Sequence, residues 1–178
     1  NNVDALPVGA DRFLAAASNR STIAIDLFDV ETRPFRVLHR QSIPLDFADP
    51  YGLCMGLRDG APHVFVGDTD GTVEAWRLGP DGAADRVRSL ACESQTEGCV
   101  YDPVDDRLYV GEETAGVWSV DLESGEKRLV HAIDGRVLVA DVEGLDIYDG
   151  ADGRFLLVSS QGDDSFVVYR LPDQERLL

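Results

Sequence analysis

Helical periodicity is missing from this chain: no segment sustains the 3.6-residue apolar spacing, with capping residues, that an amphipathic helix needs. Cysteine is scarce. Cys54, Cys92 and Cys99 are too few for a disulfide scaffold and lack the paired spacing of a zinc site, so all three are expected as buried thiols. Basic residues are also few, 16 against 33 acidic ones, for a formal charge of −17. A surface that acidic repels nucleic acid and anionic lipid, and a polyanionic partner would have to be bridged by a cation. No apolar run approaches the roughly 20 residues that span a bilayer, and no basic-then-apolar leader opens the chain. The chain begins at Asn1 without a methionine and stops abruptly at Leu178, so both ends are expected to be cuts within a longer protein.

What the chain does have is enough apolar residues for a real core, 44 % of 178, and an internal repeat. Tyr51-Gly52-Leu53-Cys54, Glu97-Gly98-Cys99-Val100 and Glu143-Gly144-Leu145-Asp146 align, each 46 residues after the last, and one further step back lands near Ala5. Each unit then carries a second strand-like run, at Leu14 to Ala17, His63 to Val66, Arg107 to Val110 and Phe155 to Ser159. A turn follows, then a third run of β-branched or aromatic residues, at Thr22 to Ile25, Thr72 to Trp76, Val117 to Val120 and Phe166 to Tyr169. A period in the mid-forties with several short strands per unit predicts an all-β array of propeller blades. The chain accommodates just under four, fewer than most propellers need to close, so it is expected to be an arc of a larger ring.

Four segments in order resemble the β-propeller phytases over nearly the whole chain. They are Asn1-Asn2-Val3-Asp4 with Ala15-Ala16-Ala17-Ser18-Asn19-Arg20-Ser21; Tyr51-Gly52-Leu53; Ser94-Gln95-Thr96-Glu97-Gly98 leading to Leu108-Tyr109-Val110-Gly111-Glu112-Glu113; and Asp141-Val142-Glu143-Gly144-Leu145 leading to Ser159-Ser160-Gln161-Gly162. The resemblance implies a six-bladed ring of which residues 1–178 are internal blades, with several calcium ions (Ca2+) and two phosphate positions on its top face. It implies a calcium-dependent hydrolase that releases phosphate from phytate, myo-inositol hexakisphosphate, taken as its calcium complex. It further implies a secreted or periplasmic monomer whose partner is this small molecule, with neither nucleic acid nor membrane.

Phosphate monoesters resist hydrolysis because an anionic nucleophile must approach an anionic phosphorus, so catalysis is largely charge neutralisation and positioning. Calcium suits carboxylates delivered from separate blades, and Glu97, Glu113, Asp141 and Glu143 fit that role. Glu97 and Glu143 share a repeat position at the mouth of an inner strand, where like charges converge at a cost unless a metal joins them. Glu112, on the opposite face from Glu113, is expected to be solvated. Arg20 offers a guanidinium fork to phosphate, and Tyr51, at the repeat position of the two glutamates, points its hydroxyl at the same site. By the general logic of metal-ion catalysis the nucleophile is a calcium-bound water that Glu97 orients or deprotonates. Similarity assigns Gln161 a calcium or water contact, and Val3 could offer only its backbone carbonyl to a structural calcium. His39, His63 and His131 occupy no repeated position and are expected at the surface.

Two departures from the family pattern bear on activity. Thr69 stands where a phosphate-gripping lysine is expected, and Thr114 replaces an acidic residue after the Glu-Glu pair, so weaker affinity or altered preference is expected. Two other functions fit a propeller with acidic loops. One is an inactive phytase-like module for binding or interaction, and the other a calcium-dependent lactonase or esterase, against which Arg20 argues.

Overall fold

The computed structural model describes residues 2–177; Asn1, which opens the first of the four segments, and Leu178 lie outside the described residues. Sixteen strands form four separate four-stranded antiparallel sheets in a propeller arrangement. Blade 1 holds β1 (Val3–Gly9), β2 (Arg12–Asn19), β3 (Ala24–Thr32) and β4 (Phe35–Pro44). Blade 2 holds β5 (Pro50–Arg58), β6 (Ala61–Asp68), β7 (Thr72–Leu78) and β8 (Ala84–Ala91). Blade 3 holds β9 (Thr96–Asp102), β10 (Arg107–Glu112), β11 (Gly116–Asp121) and β12 (Lys127–Ala132), and blade 4 holds β13 (Val142–Gly150), β14 (Gly153–Ser160), β15 (Ser165–Arg170) and β16 (Glu175–Arg176). Strand order within each sheet follows chain order, and no helix among the described residues is long and apolar enough to cross a membrane.

The apolar second strands are explained by burial on both faces. Val64 and Val66 pack with Leu14, Ala16, Ile25 and Leu27 of blade 1, whereas Phe65 between them packs with Leu108 and Val110 of blade 3. Tyr109, again alternating, joins Val142, Leu156 and Val158 of blade 4. A strand covered on both sides reads as a continuous apolar run rather than an alternating one.

The repeated glycines set how closely neighbouring inner strands approach. A Cβ on Gly52 would overlap the backbone carbonyl of Glu97, and one on Gly98 would overlap that of Glu143; Gly144, at the same repeat position in blade 4, has nothing within 4 Å. At the opposite end the seams carry ion pairs. Arg58 Nε and Nη2 donate to Asp106 at 2.7 and 2.8 Å, and Arg154 pairs with Asp102, tying blade 3 to both neighbours.

Four expectations are corrected. Cys54 and Cys99 are not thiols but a disulfide between β5 and β9, with Cα atoms 5.6 Å apart; strands that close bring residues about one repeat apart into contact. Closing that loop stabilises the fold by about 4 kcal/mol on the loop-entropy account. His63 is buried, its Nδ1 donating to the Ala61 carbonyl at 3.0 Å and its ring stacked on Phe65; His39 is exposed, and His131 is half-buried against Tyr169. Glu112 is buried rather than solvated. The third strand of blade 1 starts at Ala24 rather than Thr22. The Asn19 side chain accepts from the backbone N–H groups of Ser21 and Thr22 at 3.0 and 3.2 Å, which prolongs the turn, and Ile23 takes a left-handed φ of 51°.

Because backbone oxygen cannot move aside as a side chain can, Gly98→Ala is expected to destabilise the protein by about 3 kcal/mol or more. Urea unfolding of the variant beside wild type measures this.

Candidate functional site

The long turn after β2 presents Arg20, and its position is fixed by two contacts. Its Nε donates to Asp49 Oδ1 at 2.6 Å, its Nη2 donates to Asp49 Oδ2, and its guanidinium lies 5.0 Å from the centroid of the Tyr51 ring. Its hydrogen bonds to Asp49 raise the Arg20 pKa further, and Arg20 in turn holds the Asp49 carboxyl below the usual carboxylate range. A guanidinium has five N–H donors, so roughly three remain for another oxyanion. Asp49, two residues before Tyr51, was not singled out by the sequence; nothing in its local context marks it as the arginine's partner.

Tyr51 is the second residue of the inner strand β5. Its backbone carbonyl accepts from Ser18 Oγ at 2.9 Å and Asn2 Nδ2 at 3.2 Å, which ties blade 2 to blade 1 at this end. Repulsion from Glu97 is the largest cause of a raised Tyr51 pKa; burial, Glu113 and Glu143 add to it, and Arg20 opposes it. The hydroxyl is therefore kept protonated, and able to donate, in a surrounding of carboxylates.

Glu97 is the electrostatic centre of the group. Burial, then Glu143, Glu113 and Asp141, raise its pKa. Glu97 and Glu143 line one cavity of about 470 Å³ along the inner strands, together with Val3, Asp4, Asp146 and the Cys54–Cys99 pair. Val3 lies on that cavity and is 69 % exposed, and Asp4, its neighbour in the first of the four segments, also lines it while accepting from Met55 N at 2.8 Å. Glu113 and Asp141 act on Glu97, and Glu97 acts on Tyr51, although Glu113, Asp141 and Tyr51 do not line the cavity.

Glu113 follows β10 and is held by Gln95: the Gln95 side chain donates to it, and its own N–H donates to the Gln95 carbonyl at 3.0 Å. Its neighbour Glu112 turns inward and accepts from the backbone N–H groups of Glu93 and Ser94, both at 2.8 Å, and from Trp118 Nε1 at 2.7 Å. Burial pushes the Glu112 pKa up, but these hydrogen bonds outweigh it and hold the carboxyl below its ordinary value. Gln161 opens a short 3₁₀ turn, Gln161–Asp163, and donates its backbone N–H to the Asp141 carbonyl at 2.9 Å, so the two sit together. Thr69 belongs to the same neighbourhood as Arg20, its N–H donating to the Asp49 carbonyl at 3.3 Å.

The donor set is hard, anionic and mutually repelling, which suits calcium in kind. Among the described residues no three histidine, cysteine or acidic side chains are gathered into a ready cage, so any ion here would complete its six to eight ligands with backbone, water or ligand oxygens. Glu97 and Glu143, which share the cavity, would hold such an ion, with Glu113 and Asp141 adding charge beside them rather than completing one cage.

The family model for phytases matches residues 4–177. The chain belongs to the phytase family. This phytase-family chain is 30 % identical over 196 residues to the 3-phytase of Bacillus subtilis (strain 168), an alignment covering 99 % of the chain and 51 % of that relative. It therefore spans about half the length of that curated relative. Among solved structures, a Bacteroides thetaiotaomicron VPI-5482 protein of unknown function superposes with a TM-score of 0.62 at 15 % identity, covering 98 % of this chain and 42 % of that one, a likeness of fold alone.

A carboxyl whose folded pKa is raised contributes stability that is complete below its unfolded value and is lost as pH rises through the folded value. With a chelator present, the melting temperature of wild type should therefore fall relative to that of Glu97→Gln as pH rises from about 4 to about 7. The variant should melt a few degrees higher at neutral pH. Parallel profiles at constant offset would show that Glu97 ionises without strain.

Proposed function

We propose that the full-length protein is a calcium-dependent phytase, releasing phosphate from the calcium complex of phytate, and that these four blades are an arc of its six-bladed ring. The observation that carries the reading is the juxtaposition of a tethered guanidinium and a protonated tyrosine with Glu97 and its acidic neighbours, in a family that includes a 3-phytase. Bound calcium supplies charge neutralisation for substrate and carboxylates together. Arg20, held by Asp49, turns its remaining N–H groups to a phosphate oxygen, and Tyr51 donates its hydroxyl beside it. Glu97, with its proton affinity raised, takes the proton of the attacking water. The disulfide supports a secreted or periplasmic location, since such bonds persist in oxidising compartments.

A second reading, a phytase-like module that binds without turnover, is favoured by two features: Thr69 at the lysine position and the open set of carboxylates. Phosphate release from phytate by the full-length protein, with calcium and with chelator, separates the two. Under the catalytic reading Glu97→Gln lowers kcat by about 10²–10⁴-fold, whereas Arg20→Ala chiefly raises KM. No release by wild type favours the binding module, and full activity in Glu97→Gln removes Glu97 from the proton transfer.

The ring has its own test. If another inner strand lies against β13 as β9 lies against β5, Gly144→Ala should destabilise the full-length protein about as much as Gly98→Ala. Unchanged unfolding would show that no such strand approaches Gly144.

A further inference from the structure

The second site lies at the other end of the blades. A cavity of about 490 Å³ opens between blades 1 and 2, formed around Arg12 after the β1–β2 turn, Asp59-Gly60 of the β5–β6 turn and Leu78-Gly79-Pro80 at the end of β7. In antiparallel blades these connections are at the end opposite the Asn19–Ala24 turn and the starts of β5, β9 and β13, where Tyr51, Glu97 and Glu143 lie. The two sites share no residue.

The charge of this cavity runs against that of the chain. Three of only 16 basic residues, Arg12, Arg40 and Arg77, line it with two carboxylates, Asp29 and Asp59. Asp29 is already engaged, 3.7 Å from Arg40 Nε. Among the described residues Arg12 and Arg77 have no carboxylate partner and no side-chain hydrogen bond, so two arginines with uncommitted donors line one cavity. The remaining wall is apolar, with Val8, Leu14, Pro62 and Leu78. Its volume falls within the roughly 300–1,000 Å³ of small-molecule sites, and an apolar wall with a few convergent polar groups is the usual make-up of such sites.

We propose that this cavity binds a small amphipathic oxyanion, its carboxylate or phosphate head between Arg12 and Arg77 and its apolar body against Leu14 and Leu78. Guanidinium forks match two oxygens of such a head, and the apolar wall excludes a hydroxyl-rich, many-times-charged inositol phosphate, whose other charges would meet Asp29 and Asp59. The cavity is therefore a ligand site separate from the proposed phytate site and of different chemistry.

Titration calorimetry on the full-length protein, with chelator present so that no cation recruits anions to Glu97, tests this. The probes are phenyl phosphate, benzoate and inorganic phosphate. Phenyl phosphate or benzoate should bind, and which does so identifies the head group. The double substitution Arg12→Gln/Arg77→Gln should weaken that binding about tenfold or more, while Arg136→Gln, in the connection between β12 and β13, leaves it unchanged. Both arginines are exposed, and a thermal melt of the double variant that superimposes on wild type shows the fold to be intact. Absence of binding by both aromatic probes, equal affinity in the double variant, or inorganic phosphate binding as tightly as phenyl phosphate would each overturn the proposal.

Discussion

Each blade depends on one buried polar side chain at the end of its second strand. Ser18, Asp68, Glu112 and Ser160 occupy corresponding places, and all four are buried. Asp68 accepts from the backbone of Ala48 and Asp49, Glu112 from that of Glu93 and Ser94, and Ser160 from that of Val139. Ser18 accepts from Asn2 N and donates to the Tyr51 carbonyl. In every blade the partner backbone is the segment that leads into an inner strand. Such N–H groups have no strand partner of their own and would cost about 1–3 kcal/mol each if buried unsatisfied. The fold thus uses a polar group in its interior to aim the segments that carry Asp49, Tyr51, Glu97 and Asp141.

That aiming creates the electrostatic problem of the site. Gly52 and Gly98, at the second position of their repeats, let neighbouring inner strands close until backbone nearly touches backbone, and Tyr51 and Glu97 before them are then carried toward their counterparts in the next blade. Burial, with repulsion from Glu143 added to it, raises the Glu97 pKa, and repulsion from Glu97 leaves Tyr51 with a hydroxyl that keeps its proton. A close-packed seam and a field favouring cations are two results of one backbone geometry.

The repeat period, the second strands and the positions of Tyr51, Glu97 and Glu143 were legible in the sequence because they depend on spacing along the chain. What was not legible depends on which side chains meet across a seam. Cys54 and Cys99 differ by one position within the repeat unit, so alignment of the units does not pair them, and only the offset between β5 and β9 does. Glu112 and Glu113 are indistinguishable by type, and their opposite fates follow from whether Trp118 or Gln95 lies opposite. The buried polar position was hidden because Ser, Asp, Glu and Ser do the same work with different reach. Asp49 resembles any surface carboxylate until the prolonged turn at Asn19 brings Arg20 over it.

The third cysteine has a consequence for how the disulfide comes to be correct. Burial pushes the Cys92 thiol up to about 11. Only about one molecule in ten thousand then carries the thiolate at pH 7, and the thiolate is the species that attacks a disulfide sulfur. Half-buried after β8 and beside Lys127, Cys92 is a poor nucleophile toward the Cys54–Cys99 pair in the folded protein. The folded protein thereby shuts off exchange among its three sulfurs and retains the single pairing that its inner strands selected.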